Sequence, residues 1–139
     1  MNGKIYWMIK QQFDVDSYWK VVIFYNVDYD LLKPIYKELL SIGFSHKSID
    51  EAIDLLYSGE AKAVTFSNTL SYNSVILFGK HNNKYDYINS LVHEAEHVKQ
   101  AMLKAYRVVD EGEPPAYTMG FLIENMYKVF QNFLCSKHR

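Results

Sequence analysis

The chain has 139 residues, 49% of them hydrophobic, which is the length of one domain with enough apolar side chains for a substantial core. Fifteen Lys and Arg stand against sixteen Asp and Glu, so no broad basic surface exists to draw in nucleic acid or an anionic membrane. A single cysteine, Cys135, excludes an intramolecular disulfide, the opening MNGKIYWMIKQQ lacks the apolar stretch of a secretory leader, and a reducing, cytoplasmic compartment is expected.

In chain order, KIYWMIKQ (4–11) and SYWKVVIFYN (17–26) are rich in β-branched and aromatic residues, with turn formers in FDVDS between them. They predict a hairpin. DLLKPIYKELLSIG (30–43) predicts a short helix with Asp30 as N-cap, Pro34 near the first turn and Gly43 as the stop. SHKSIDEAIDLLYSG (45–59) predicts a second, starting at Ser45 or Ser48, ending at Gly59, and aligning Ile49, Ala52, Ile53 and Leu56 on one face. AKAVTFSN (61–68) and SVILFGK (74–80) follow as strands, and helical periodicity runs from about 85 to 106. The last segment, from Pro114 to Cys135, carries Leu122, Met126, Val129 and Phe133 at helical spacing. The pattern of two strands, two helices, two strands and two helices is that of a single α+β domain over 1–139. No apolar run nears the roughly 20 residues of a membrane helix.

The third helix holds LVHEAEHVKQ (91–100). On a helical wheel Ile88, Leu91, Val92, Ala95, Val98, Met102 and Tyr106 form an apolar stripe, and His93 and His97 stack nearly opposite it. Zinc takes neutral imidazole nitrogens converging at about 2.0–2.1 Å, and the i, i+4 spacing on a rigid helix supplies two. Glu94, to one side, is placed to act as a general base on a metal-bound water. The plain alternative is a solvated helix face, which Glu96, Lys99, Gln100 and Lys104 would suit.

A catalytic zinc site usually has three protein ligands. Downstream, VVDEGEPPAYTMGF offers Glu111 and Glu113, and Glu124 follows on the last helix. Glu113, Ala116, Tyr117, Gly120 and Glu124 share a side of that helix, and the two small residues would let it approach the metal helix closely. Pro114 and Pro115 put Glu113 at the helix cap, outside α geometry. Tyr117 is the candidate for stabilising an oxyanion, against a plain packing role. His46, His81 and His138 have no partner at a ligand spacing and are expected at the surface, and Cys135 as a packed or idle thiol.

VHEAEH followed by GEPPAYTMGFL resembles the paired active-site segments of zincin metallopeptidases of the gluzincin kind, over about residues 62–130. The resemblance implies a small single zincin-like domain, a mixed sheet with the metal helix and a C-terminal helix beside it, and Zn2+ held by His93, His97 and Glu113 with Glu94 as general base. It also implies that SVILFGK borders the cleft as an edge strand. The expected activity is zinc-dependent hydrolysis of a peptide or protein substrate lying extended in an open groove, with no nucleic-acid or membrane partner. The alternative is a catalytically silent zincin-like module that binds or regulates.

Overall fold

The computed structural model describes the backbone of residues 7–137 and side chains as far as residue 129. Strands β1 (Ile9–Val15) and β2 (Trp19–Tyr25) form an antiparallel hairpin, Ile9 opposite Tyr25 and Val15 opposite Trp19. The turn lies later than the composition suggested. Asp16 and Ser17 take φ of 54° and 64°, and the Tyr18 N–H closes on the Val15 carbonyl at 3.2 Å, so Phe13 and Val15 stay in the strand. Aspartate tolerates this left-handed geometry better than a β-branched residue does, which puts the reversal at Asp16 and not at Val15. Positions 4–6 of the expected first strand lie outside the described residues.

Helices α1 (Lys33–Ser41) and α2 (His46–Ser58) follow. Leu32, not Asp30, is the N-cap of α1, because Asp30 instead bonds locally through its N–H to the Asp28 carboxylate at 2.9 Å. The boundaries expected for α2 hold. Ser45 accepts from the Ser48 N–H, and Gly59 ends the helix at φ 82°, a left-handed conformation that glycine takes without a Cβ penalty. Strands β3 (Ala63–Asn68) and β4 (Asn73–Phe78) then pair antiparallel, before the long helices α3 (Lys84–Tyr106) and α4 (Glu113–Lys137).

The sheet order is β1-β2-β4-β3, with β2 and β4 parallel. This makes the domain α+β with a small mixed sheet, and it corrects one expectation: SVILFGK supplies β4, an internal strand, and the edge strand on that side is β3. The physical reason is burial on both faces. Ser74 through Phe78 are all buried, whereas β3 is mostly half-buried.

The period of two in β2 divides the core. Val21, Ile23 and Tyr25 face a cluster with Leu91, Val98, Met102, Leu122 and Met126 of α3 and α4. Val22 and Phe24 face Ile35, Leu39, Ile49 and Leu56 of α1 and α2. Helices thus cover both faces. Trp19 anchors one end, its indole N–H donating to the Ser74 hydroxyl at 2.9 Å, and Ser74 is hydrogen-bonded to Ser67 at 2.7 Å. α4 is moored over β1 and β2, where Gln11 donates to the Asn125 carbonyl at 2.8 Å and Tyr25 to the Met126 carbonyl at 3.3 Å. α3 lies over β3, so the motif helix borders the free edge of the sheet. No helix among the described residues is long and apolar enough to cross a membrane.

Candidate metal centre beside an edge strand

α3 begins where Asn83 accepts from the Asp86 N–H at 2.9 Å, and Arg107 ends it in left-handed geometry. Its buried stripe is rotated from the expected one. Ile88 and Val92 are 38% and 44% exposed, while Tyr87, Leu91, Glu94, Ala95, Val98 and Met102 are buried. The rotation follows from the sheet: α3 turns Glu94 toward β3, where a hydroxyl meets it.

That hydroxyl belongs to Thr65. Its Oγ1 donates to Glu94 Oε1 at 2.7 Å, and Glu94 is only 5% exposed. A second tie joins Lys62, just before β3, to Asp86 in the first turn of α3 at 2.7 Å. This ion pair holds the Asp86 carboxyl below its usual range, chiefly through the hydrogen bond from the Lys62 ammonium. Helix and edge strand are therefore fastened at two points two turns apart.

Between them opens a cleft of about 390 Å³, lined by Ala63, Thr65 and Ser67 of β3 and by His93, Glu94 and His97 of α3. Both histidines are exposed to it, with their Nε2 atoms 3.1 Å apart. Two nitrogens at about 2.0–2.1 Å from one tetrahedral ion stand about 3.3 Å from each other, so the pair fits two neighbouring positions of a zinc coordination sphere. The third expected donor is not with them. Among the described residues no group of three or more His, Cys, Asp or Glu is arranged to hold a metal ion.

Glu113 and Tyr117 line a different cavity, formed by α4, the end of α3 and the β1–β2 turn. α4 starts at Glu113 itself, so this residue lies inside the helix and not before it; a proline without an N–H is tolerated in a first turn, where that donor has no helical partner. Tyr117 is 74% exposed. Glu111 is exposed in the loop, and Glu124, in the second cavity, pairs with Lys128 at 3.7 Å. Ala116 and Gly120 do not serve close helix packing: both are exposed, and a Cβ built on Gly120 meets nothing within 4 Å.

Lys99, which would suit the alternative of a solvated helix face, is only 8% exposed and bonds Glu96 at 2.9 Å and Asp110 at 3.0 Å. Burial pulls its pKa down, and the two carboxylates more than reverse this, holding it above the ordinary lysine value. It pins the loop before α4 to α3. His81, expected at the surface, is half-buried and held in place. Its ring is stacked on Tyr87 at 4.2 Å, with Nδ1 2.9 Å from the Gly79 carbonyl and Nε2 2.7 Å from the Ser90 hydroxyl. His46 is exposed, whereas His138 and the side chains of Phe133 and Cys135 lie outside the described residues.

The outer edge of β3 gives the cleft a direction. The Gly79 N–H donates to the Lys62 carbonyl at 2.9 Å, and Ala63 pairs with Phe78, so 62 and 79 are a hydrogen-bonded pair. Alternation along an antiparallel ladder then turns the N–H and C=O groups of Ala63, Thr65 and Ser67 to the free edge, beside the histidines. Thr65 had no signal in the motif; only its place on the α3-facing side of a strand could have pointed to it. No protein-family model, curated protein or solved structure matches this chain.

Proposed function

We propose that this protein is a zinc-dependent hydrolase that cleaves peptide bonds in an extended polypeptide. The observation that carries the reading is the His93–His97 pair, 3.1 Å between Nε2 atoms, sharing one cleft with a buried glutamate. His93 and His97 would hold the metal. Glu113, an acid with no ion pair among the described residues, is the third ligand the reading adopts from the resemblance to gluzincins, although it lines the other cavity here. Bound zinc would supply a Lewis acid and lower the pKa of its water toward about 7.

The chain's own residues do the rest. The outward groups of Ala63, Thr65 and Ser67 pair with the backbone of an extended substrate and lay it along the cleft. The Thr65 hydroxyl holds the Glu94 carboxylate in one orientation, leaving Oε2 to take the proton of the attacking water. Glu94 then delivers that proton to the leaving amine nitrogen. Tyr117 has no role in this scheme.

The separation of Glu113 from the histidines favours a second reading, a catalytically silent module whose β3 edge captures a peptide. The deciding experiment measures zinc in untagged protein and screens wild type and Glu94→Gln against a mixed peptide library by mass spectrometry, with and without chelator. The hydrolase reading expects close to one zinc per chain in both proteins, chelator-sensitive cleavage by wild type, and a loss of about 10²–10⁴ in rate in Glu94→Gln. Less than about 0.2 zinc per chain after loading and desalting would sink the metal assignment. Full zinc with no cleavage in either protein supports the silent module.

A further inference from the structure

The second cavity, about 880 Å³, is larger than the histidine cleft, and of its lining only Glu113 enters the chemistry proposed above. Its apolar lining includes Leu103, Val108, Pro114, Ala116 and Phe121. Three carboxylates line it, Asp16 on the β1–β2 turn and Glu113 and Glu124 along α4, and no lysine, arginine or histidine does so among the described residues. Tyr106 also lines it and carries a buried hydroxyl that finds no hydrogen-bond partner among the described residues.

Gly120 sits in this wall. Glycine inside a helix is unfavourable without a reason, and neither a positive φ nor a close neighbour supplies one here. A longer side chain at this position would grow along the wall into the open space of the cavity. The α4 wall runs from Glu113 to Glu124, eleven residues or about 16 Å at a helical rise of 1.5 Å. A lone amine cannot reach from end to end, whereas an extended peptide of about five residues can.

We propose that this cavity binds a short extended peptide segment with basic residues flanking an apolar centre, at a site separate from the histidine cleft. The apolar centre fills the floor over Leu103 and Phe121. The flanking cations meet the carboxylates of Asp16 and Glu113, and that of Glu124 in competition with its exposed partner Lys128, and this charge steers and orients such a segment. The inference does not rest on the metal reading, and the test leaves Glu113 alone because the proposed coordination uses it.

The probe is a pentapeptide with lysine at both ends and leucine between, titrated calorimetrically into the full chain at two salt concentrations. Wild type should bind, more weakly at high salt. Asp16→Asn/Glu124→Gln removes two charges at nearly constant shape, and asparagine accepts the positive φ of position 16, so affinity should fall by about tenfold or more with no change in melting temperature. Gly120→Leu grows into open space and favours the helix, so it should melt at or above wild type and lose binding. His93→Ala/His97→Ala should bind the peptide as wild type does, which separates this site from the metal. Undiminished binding by folded Gly120→Leu, equal binding of a peptide with glutamate in place of lysine, or tighter binding of spermidine than of the peptide would each overturn the proposal.

Discussion

Thr65 is the side chain that converts Glu94 from a surface acid into a positioned one. A carboxylate at 5% exposure needs a donor, and the Thr65 hydroxyl supplies it at 2.7 Å. Thr65→Val keeps the shape and the strand propensity but strips that donor, so the cost should be about 1–3 kcal/mol in urea unfolding, with Thr65→Ser recovering most of it. A loss below about 0.5 kcal/mol, the scale of an ordinary surface change, would mean that the bond contributes little. The same variant should cleave more slowly at unchanged zinc content, because an unheld carboxylate samples other rotamers. His93 and His97 were legible from spacing alone, since four residues on a helix fix which side chains stack. Thr65 was not: it lies 29 residues from Glu94 in the chain, and nothing local announces the pairing.

At the scale of elements, the free edge of β3 is the feature to test. Ala63 directs its N–H outward, so Ala63→Pro removes a donor that no ladder bond uses, a substitution tolerated on edge strands. Expected is a fold and melting temperature close to wild type with markedly weaker peptide binding, a rise in KM larger than the fall in kcat. Unchanged KM would show that substrate does not pair with β3. The helices were the better-read elements. The N-cap at Ser45 and the left-handed Gly59 delimit α2 with local chemistry, and the sequence contains both. The resemblance placed SVILFGK at the edge; SVILFGK and AKAVTFSN each fit a strand, and which of them is central depends on what the helices cover.

For the whole molecule, α3 is tied to β3 through Glu94 and Asp86 and to the loop before α4 through Lys99, so an ion held on α3 acts on one cooperative unit. Zinc at 100 times its Kd should stabilise the protein by about 2.7 kcal/mol, seen as a rise in melting temperature that His93→Ala/His97→Ala abolishes. Glu113→Ala should lose most of that rise, while Glu111→Ala and Glu124→Ala keep it. An unchanged zinc-induced rise in Glu113→Ala would remove Glu113 from the coordination and leave the two histidines as its only assigned protein ligands.

What the sequence determined by itself is whatever depends on neighbours in the chain. The four helices and four strands of the described residues, the α+β class, the caps of α2 and the stacking of His93 over His97 all follow from residues within a turn or two of each other. The tertiary structure decided what depends on surfaces meeting. It turned Glu94 and Lys99 inward on a helix whose apolar stripe pointed elsewhere, because β3 brought a hydroxyl to one and the 107–112 loop brought a carboxylate to the other. It made β3 the edge and β4 the centre, because helices on both faces of the sheet bury β4. It also put Glu113 and Tyr117 across α3 from the histidines, since α4 packs over β1 and β2 while α3 lies along β3, a choice of neighbour that no spacing in the chain encodes.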